Sequence, residues 1–115
     1  MPYMLLIVEP TGQRRERSDA EGRAVYQRML DYSAGLSRRG LLAASQSLRS
    51  DAVRVHKAGG RAQVSDGPFA ESKEFVGGFF LLNCATREEA LALAGECPAA
   101  EWATIEVREI GPCYE

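Results

Sequence analysis

Hydrophobic positions along the chain alternate between strand-like and helix-like spacing. Residues 3–8 form a compact run of apolar, strand-forming side chains, which predicts a central buried strand ended by the Pro-Thr-Gly at residues 10–12. The next apolar positions recur at intervals of four, three and four and therefore share one face of a helix: Val25, Met29, Tyr32 and Leu36. The pattern thus begins with a strand followed by an amphipathic helix.

Both ends of this helix carry terminal signals. Ser18 and Glu21 have the spacing of a capping box, in which each side chain bonds a backbone N–H that the helix start leaves unpaired. Arg38 and Arg39 suit the negative end of the helix dipole, and Gly40 suits the position just beyond the last turn. These signals predict a helix of roughly 20 residues.

The middle of the chain predicts a strand and then a hairpin. Residues 41–48 mix Leu, Ala and Ser and favour a strand, while residues 52–57 alternate apolar and polar side chains more cleanly. The Ala-Gly-Gly-Arg at residues 58–61 is typical of a tight hairpin turn. Residues 62–65 are then the predicted return strand.

The last third of the chain repeats the order of the first. Two glycines at residues 77–78 lead into a dense apolar run over residues 79–84, which predicts a strand. Residues 86–89 form a second capping box before a short helix that Pro98 stops. Residues 103–110 alternate as the final strand.

This order predicts an α+β fold. A β-α-β unit, an inserted hairpin and a second β-α-β unit make the split βαβ pattern of a ferredoxin-like sandwich in a single domain over residues 1–115. Two helices cover one face of such a sheet and leave the other bare. We therefore expect a homodimer with stacked sheets, because the apolar side chains of the bare face need a partner.

Composition narrows the class of protein without naming a reaction. The 115 residues carry 14 basic and 16 acidic side chains, a formal charge of −2, which argues against a direct nucleic-acid binder. Three cysteines without a C-x-x-C pair and one histidine suit neither a disulfide framework nor a zinc site. With neither a signal-peptide pattern nor a long apolar span, we expect a cytoplasmic chain with no membrane segment, metal or cofactor.

One segment carries a family resemblance. Residues 66–74 read Asp-Gly-Pro-Phe-Ala-Glu-Ser-Lys-Glu, which resembles the signature of the DGPF-domain branch of the YCII-related proteins. Flanking matches extend over nearly the whole chain, among them residues 3–7, 36–42, 77–79, 97–100 and 105–108. The resemblance implies a ferredoxin-like fold that dimerises into an α/β-barrel-type assembly. It also implies two functional links, to a dehydrochlorinase of the superfamily with a His-Asp pair and to extracytoplasmic-function sigma factors.

The chain departs from the His-Asp pattern on its first helix. The histidine of the related branch would fall near Arg28, and no histidine occurs on this helix, since His56 lies on the predicted hairpin. A mechanism that uses imidazole as general base is therefore in doubt. Arg28 is instead a candidate clamp for a substrate anion, with a solvated helix residue as the alternative.

The signature holds the candidate catalytic residues, Asp66, Glu71 and Lys73, and a candidate substrate-binding residue, Phe69. Asp66 is either a general base or the acceptor of an Asx-turn in the Asp-Gly-Pro turn. Glu71 and Lys73 are either a carboxylate held ionised by an ammonium or a structural ion pair. Phe69 is either a pocket wall or core.

Two further sets of charged residues have either a functional or a structural role. Glu106 and Arg108 share one face of the last strand, so they either face a substrate cleft or pair structurally. Residues 13–17 contain three arginines and form either a solvated loop or an anion-binding rim.

Three functional hypotheses follow. The first is an enzyme with lyase or proton-transfer chemistry on a small aromatic or acidic compound, bound in a pocket of the dimer. The second is a non-catalytic module that binds a small molecule or a sigma factor. In the third, the signature only stabilises the fold.

Overall fold

The structure, a computed structural model, describes residues 2–66 and 72–115, with Asp66 described by its backbone alone. Within these residues the chain forms six strands and two α-helices. In chain order they are β1 (Tyr3–Pro10), α1 (Asp19–Arg38), β2 (Leu42–Ser47), β3 (Val53–Ala58), β4 (Arg61–Asp66), β5 (Glu74–Leu82), α2 (Arg87–Glu96) and β6 (Thr104–Glu109). Short 3-10 helices occupy Gln13–Glu16 and Pro98–Glu101.

Four strands form one antiparallel sheet in the order β2-β5-β1-β6. Leu5 in the centre of β1 lies opposite Phe80 of β5 on one side and Val107 of β6 on the other. This α+β arrangement is compatible with the predicted ferredoxin-like fold. In each β-α-β unit the two strands are separated by one strand of the other unit: β5 lies between β1 and β2, and β1 lies between β5 and β6.

The terminal signals of α1 act as predicted. The Glu21 N–H donates to Ser18 Oγ (3.1 Å), and the Ser18 N–H donates to Glu21 Oε1 (2.8 Å). Gly40 follows the helix with φ of 71°, the left-handed conformation that glycine adopts without steric cost. At the start of α2 the structure shows one bond of the second predicted box, from the Glu89 N–H to Thr86 Oγ1 (3.2 Å).

The core lies between the sheet and the two helices. Alternate side chains of β1 point into it, and they pack with buried residues of β5, α1 and α2. Tyr32 of α1 links these layers, because its ring meets Phe80 edge-on (5.2 Å between centroids) and its hydroxyl donates to the Leu93 carbonyl (2.6 Å). Its burial raises the pKa of the phenol, which therefore stays a donor.

The opposite face of the sheet is apolar and is not covered by the described part of the chain. Side chains of β1 and β5 alternate away from the helices and are partly accessible: Met4, Leu6, Val8, Val76, Phe79 and Leu81. The bare face predicted from the element order is therefore present. The second copy predicted to cover it remains a prediction.

The inserted hairpin forms a separate two-stranded sheet of β3 and β4. Its turn contains Gly59 and Gly60 with φ of 58° and 78°, which is the positive-φ pair of a tight hairpin. The valines of its apolar side, Val53, Val55 and Val64, are each more than three-fifths exposed. The hairpin is thus formed as predicted and contributes no buried residue to the core.

Some predicted boundaries are wrong. β1 continues through Pro10, and β5 begins at Glu74 instead of residue 79, so Gly77 and Gly78 lie inside the strand. Pairing between β1 and β5 over this length overrides the local tendency of glycine to end a strand. In the described residues, neither α-helix combines the length and the apolar character that a membrane crossing requires.

Candidate functional site

A cleft of about 680 Å³ lies between α1 and the sheet. It exists because α1 is tightly packed only towards its C-terminal end, where Leu36 is buried. Towards the N-terminal end, Val25 and Met29 are only half-buried, and Tyr26 and Leu30 are exposed although all four line the cleft. We call this space the α1 cleft.

The wall of the α1 cleft contains a buried ion pair. Glu9, at the end of β1, is 6% exposed and is the buried charged residue of the described chain. The Arg14 guanidinium forms two hydrogen bonds with this carboxylate: Nε donates to Oε1 (2.9 Å) and Nη2 donates to Oε2 (2.6 Å). This bidentate geometry compensates both carboxylate oxygens for the loss of water.

Arg14 also joins neighbouring segments to this pair. Its Nη1 donates to the Leu48 carbonyl after β2 (2.8 Å), and its Nη2 donates to the Gly77 carbonyl of β5 (3.2 Å). Its guanidinium lies 5.3 Å from the centroid of the Phe75 ring. One side chain thus connects β1, the first 3-10 helix, β5 and the segment that follows β2.

Gly77 leaves the space that the ion pair occupies. A Cβ at this position would lie 1.6 Å from Glu9 Oε2, far inside van der Waals contact. The pairing of β1 with β5 shifts between Ile7 and Val8, opposite Gly77, as in a β-bulge. The glycine and the bulge therefore allow the Glu9 carboxylate to lie against the backbone of β5.

Two further arginines line the α1 cleft. Arg17 donates from Nη2 to Gln13 Oε1 (3.2 Å), and its guanidinium lies 5.7 Å from the Trp102 ring centroid. Arg49 donates from Nε to Asp51 Oδ1 (3.0 Å) at the surface. Among the described residues, the lining of the cleft therefore combines several cationic groups with one acidic group, that of Glu9.

The rest of the lining supplies apolar surface and hydroxyl groups. The apolar part comes from α1 and from the helix-facing side of the sheet: Ile7, Val25, Met29, Leu30 and Phe80. The hydroxyls come from Ser33, Ser45 and Ser47. Among the described residues, no three His, Cys, Asp or Glu side chains are grouped as a metal site.

Part of the predicted site lies outside the described residues, namely Phe69, Glu71 and the side chain of Asp66. The residues that follow are anchored beside the ion pair. Thr11 donates from Oγ1 to the Ser72 carbonyl (2.9 Å) and from its N–H to the Lys73 carbonyl (2.8 Å). Thr11 is two positions after Glu9, so residues 72–74 of the signature run along the end of β1 near the cleft, with the Lys73 side chain exposed.

Arg28 does not line the α1 cleft. Its guanidinium forms a two-point ion pair with Glu101, with Nη1 to Oε1 at 3.1 Å, and lies 5.4 Å from the Trp102 ring centroid. The hydrogen bonds from Arg28 lower the pKa of the Glu101 carboxyl. The Arg28 guanidinium, a predicted clamp for a substrate anion, thus binds the Glu101 carboxylate of the same chain.

Glu106 and Arg108 share one face of β6, as predicted, and their charged groups are 4.0 Å apart. They alternate with Ile105 and Val107, which pack against the core, and therefore lie on the open face of the sheet. The α1 cleft is on the other face. The predicted substrate-binding residues are thus divided between two sides of the sheet.

Sequence reasoning missed Glu9 and Gly77. The side chains of Tyr3, Leu5 and Ile7 point from β1 into the core. Glu9 is the next residue in this alternation, so the sequence pattern could have indicated a buried charge at this position. Of the three arginines in residues 13–17, which the sequence predicts as either a solvated loop or an anion-binding rim, Arg14 and Arg17 line the cleft. The solvated-loop interpretation is incomplete, because Gln13–Glu16 is a 3-10 helix.

Comparison with known proteins gives two findings. The sequence profile of the YCII-related domain matches residues 1–113. An uncharacterized protein of Rhizobium meliloti (strain 1021) is 41% identical over 61 residues, which are 51% of this chain and 49% of that protein. The match thus spans about half the length of that curated relative.

Replacing Gly77 tests whether the ion pair depends on the space beside it. Gly77→Ala should destabilise the fold by about 1–3 kcal/mol, because the new methyl group and the Glu9 carboxylate cannot both be accommodated. Gly95→Ala is the matched control, since a Cβ there meets nothing within 4 Å. It should be neutral or stabilising by up to about 1 kcal/mol. Urea denaturation measures both, and equal stability of the two variants would contradict the assignment.

The Arg28–Glu101 pair predicts a pH-dependent coupling. The pKa of Glu101 is lowered in the folded state. Its stabilising effect is therefore present above the unfolded value of about 4.3 and is lost as pH falls through the lowered folded value. A double-mutant cycle of Arg28→Gln and Glu101→Gln should show a modest coupling at neutral pH and none in strong acid. A coupling that persists unchanged in acid would refute an ionic pair.

Proposed function

The chain belongs to the YCII-related family, and from this premise we propose that it binds a small molecule with an apolar body and an acidic group in the α1 cleft. The proposal is supported mainly by one observation, the combination of apolar and cationic lining in a single cleft of about 680 Å³. That volume lies within the range of roughly 300–1,000 Å³ that is common for small-molecule sites.

The described part of the cleft supports binding more directly than acid-base catalysis. Glu9 is buried and both its oxygens are held by Arg14, so taking a proton from a substrate would break a buried ion pair. A lyase or proton-transfer reaction would therefore depend on Asp66 or Glu71 of the signature. That hypothesis is supported by the hydrogen bonds from Thr11 to the carbonyls of Ser72 and Lys73, which hold the residues after Glu71 near the cleft.

We also propose that the working unit is a homodimer joined through the open faces of the two sheets. Six apolar side chains of β1 and β5 lie there without cover from the described part of the chain. A second copy would bury them, and Glu106 and Arg108 would lie in or beside the interface. Such a self-complementary contact is the usual arrangement of a two-fold dimer.

A panel of small aromatic and aliphatic acids, phenols and their neutral analogues tests the binding proposal. Ligands should raise the melting temperature of the protein, because they bind only its folded state. They should also change the fluorescence of Trp102, the single tryptophan, which lines the cleft. Ser33→Phe, which places a ring into the cleft, should abolish both effects.

Ala34→Phe is the matched control, because Ala34 is the exposed neighbour of Ser33 on α1 and does not line the cleft. It should retain ligand binding. A panel without any stabilising compound would count against the proposed function. So would compounds that bind the Ser33 variant as well as the wild type.

Sedimentation equilibrium tests the dimer. The wild type should have twice the chain mass of 12.6 kDa. Leu6→Glu, on the open face, should be monomeric and folded, because Leu6 does not pack against the core. Leu91→Glu, at an exposed leucine of α2, should remain dimeric. A monomeric wild type, or two variants with the same mass, would exclude this interface.

A further inference from the structure

Not every arginine of the α1 cleft is in an ion pair. Arg14 is paired with Glu9, and Arg49 is paired with Asp51. Arg17 lines the same cleft, donates to a neutral amide, that of Gln13, and has its guanidinium over the Trp102 ring. Hydrogen bonding with Ser18 and, to a smaller extent, the positive charge of Arg17 lower the pKa of Glu21, but among the described residues no carboxylate forms an ion pair with Arg17.

The side chain of Arg17 is already held in place. Gln13 Nε2 donates to the Trp102 carbonyl (2.9 Å), and Gln13 Oε1 accepts from Arg17 Nη2 (3.2 Å). The guanidinium also lies over the Trp102 ring. A guanidinium has five N–H donors, so this arrangement orients the group while leaving donors for a ligand. Because the side chain is ordered beforehand, binding loses less conformational entropy.

Apolar surface begins close to this charge. Val25, Tyr26 and Met29 of α1 line the cleft together with Arg17. A ligand with its anionic group on Arg17 can therefore place an apolar body along α1. A second anionic group would find the remaining cleft arginines already paired with carboxylates.

Building on the proposed function, we propose that Arg17 is the specificity-determining residue of the α1 cleft and selects monocarboxylates with an aromatic or aliphatic body. Its fork binds the carboxylate, and Gln13 and Trp102 position the fork. Neutral analogues lack the charge-assisted hydrogen bonds, and the second carboxylate of a dicarboxylate meets cleft arginines that are already paired.

Three probes separate these classes: phenylbutyrate, its neutral amide phenylbutyramide, and the dianion phenylsuccinate. Titration calorimetry and the fluorescence of Trp102 follow their binding to the full chain. Phenylbutyrate should bind about tenfold more tightly than either of the others, the effect of a charge-assisted hydrogen bond. Added salt should weaken the binding of phenylbutyrate and leave that of the amide unchanged.

Arg17→Gln should remove this preference, so that the acid and the amide bind equally. Arg17→Lys should keep part of it, because an ammonium retains the charge without the planar fork. Arg15→Gln is the matched control, since Arg15 is exposed on the 3-10 helix that precedes Arg17 and does not line the cleft. It should bind like the wild type. Circular dichroism verifies that each variant is folded.

The assignment of Arg17 would be overturned by a preference for phenylbutyrate that survives in Arg17→Gln, or by wild-type protein that binds all three probes equally. Either result is compatible with the proposed function when Ser33→Phe still blocks binding. Failure of all three probes to bind also overturns the assignment. The proposed function itself fails separately, when no compound of the wider panel shows binding that depends on Ser33.

Discussion

The buried ion pair between Glu9 and Arg14 is the interaction on which the functional part of the structure depends. A carboxylate that is removed from water without a partner destabilises a fold by about 3–5 kcal/mol. Arg14 prevents this with two hydrogen bonds and reaches the backbone of two further segments. Gly77 is required because the carboxylate lies where a Cβ would be. One pair of charges thus joins the end of β1, the bulge in β5 and the segment after β2.

The same pair shapes the α1 cleft. It lines the space where α1 separates from the sheet, and Arg14 belongs to the first 3-10 helix, which Arg17 directly follows. The pair also lies two residues from Thr11, whose hydroxyl and N–H donate to the carbonyls of Ser72 and Lys73. Arg14 therefore has a structural role, whereas Arg17 hydrogen-bonds a neutral amide and forms no ion pair among the described residues. Arg14 thus stabilises the fold, and its neighbour Arg17 takes part in the binding that we propose.

Local signals predicted much of the fold. Ser18, Glu21 and Gly40 delimit α1 because helix ends are stabilised by residues adjacent in sequence. The hairpin turn follows from two glycines with positive φ. The predicted limits of β5 were wrong, since cross-strand pairing carries Gly77 and Gly78 into the strand. Arg28 looked available for a ligand, and only the fold brings it to Glu101, 73 residues away.

The sequence by itself determined the order of elements, the amphipathic faces and the family, because these depend on residue spacing and local backbone preference. Alternation also placed Glu106 and Arg108 together on one face of β6. Tertiary structure decided which face holds the cleft and which arginine is paired. Those properties depend on distances between residues far apart in the chain, such as Arg14 and Gly77 or Gln13 and Trp102. A periodic pattern specifies a direction for each side chain, and only packing specifies its neighbour.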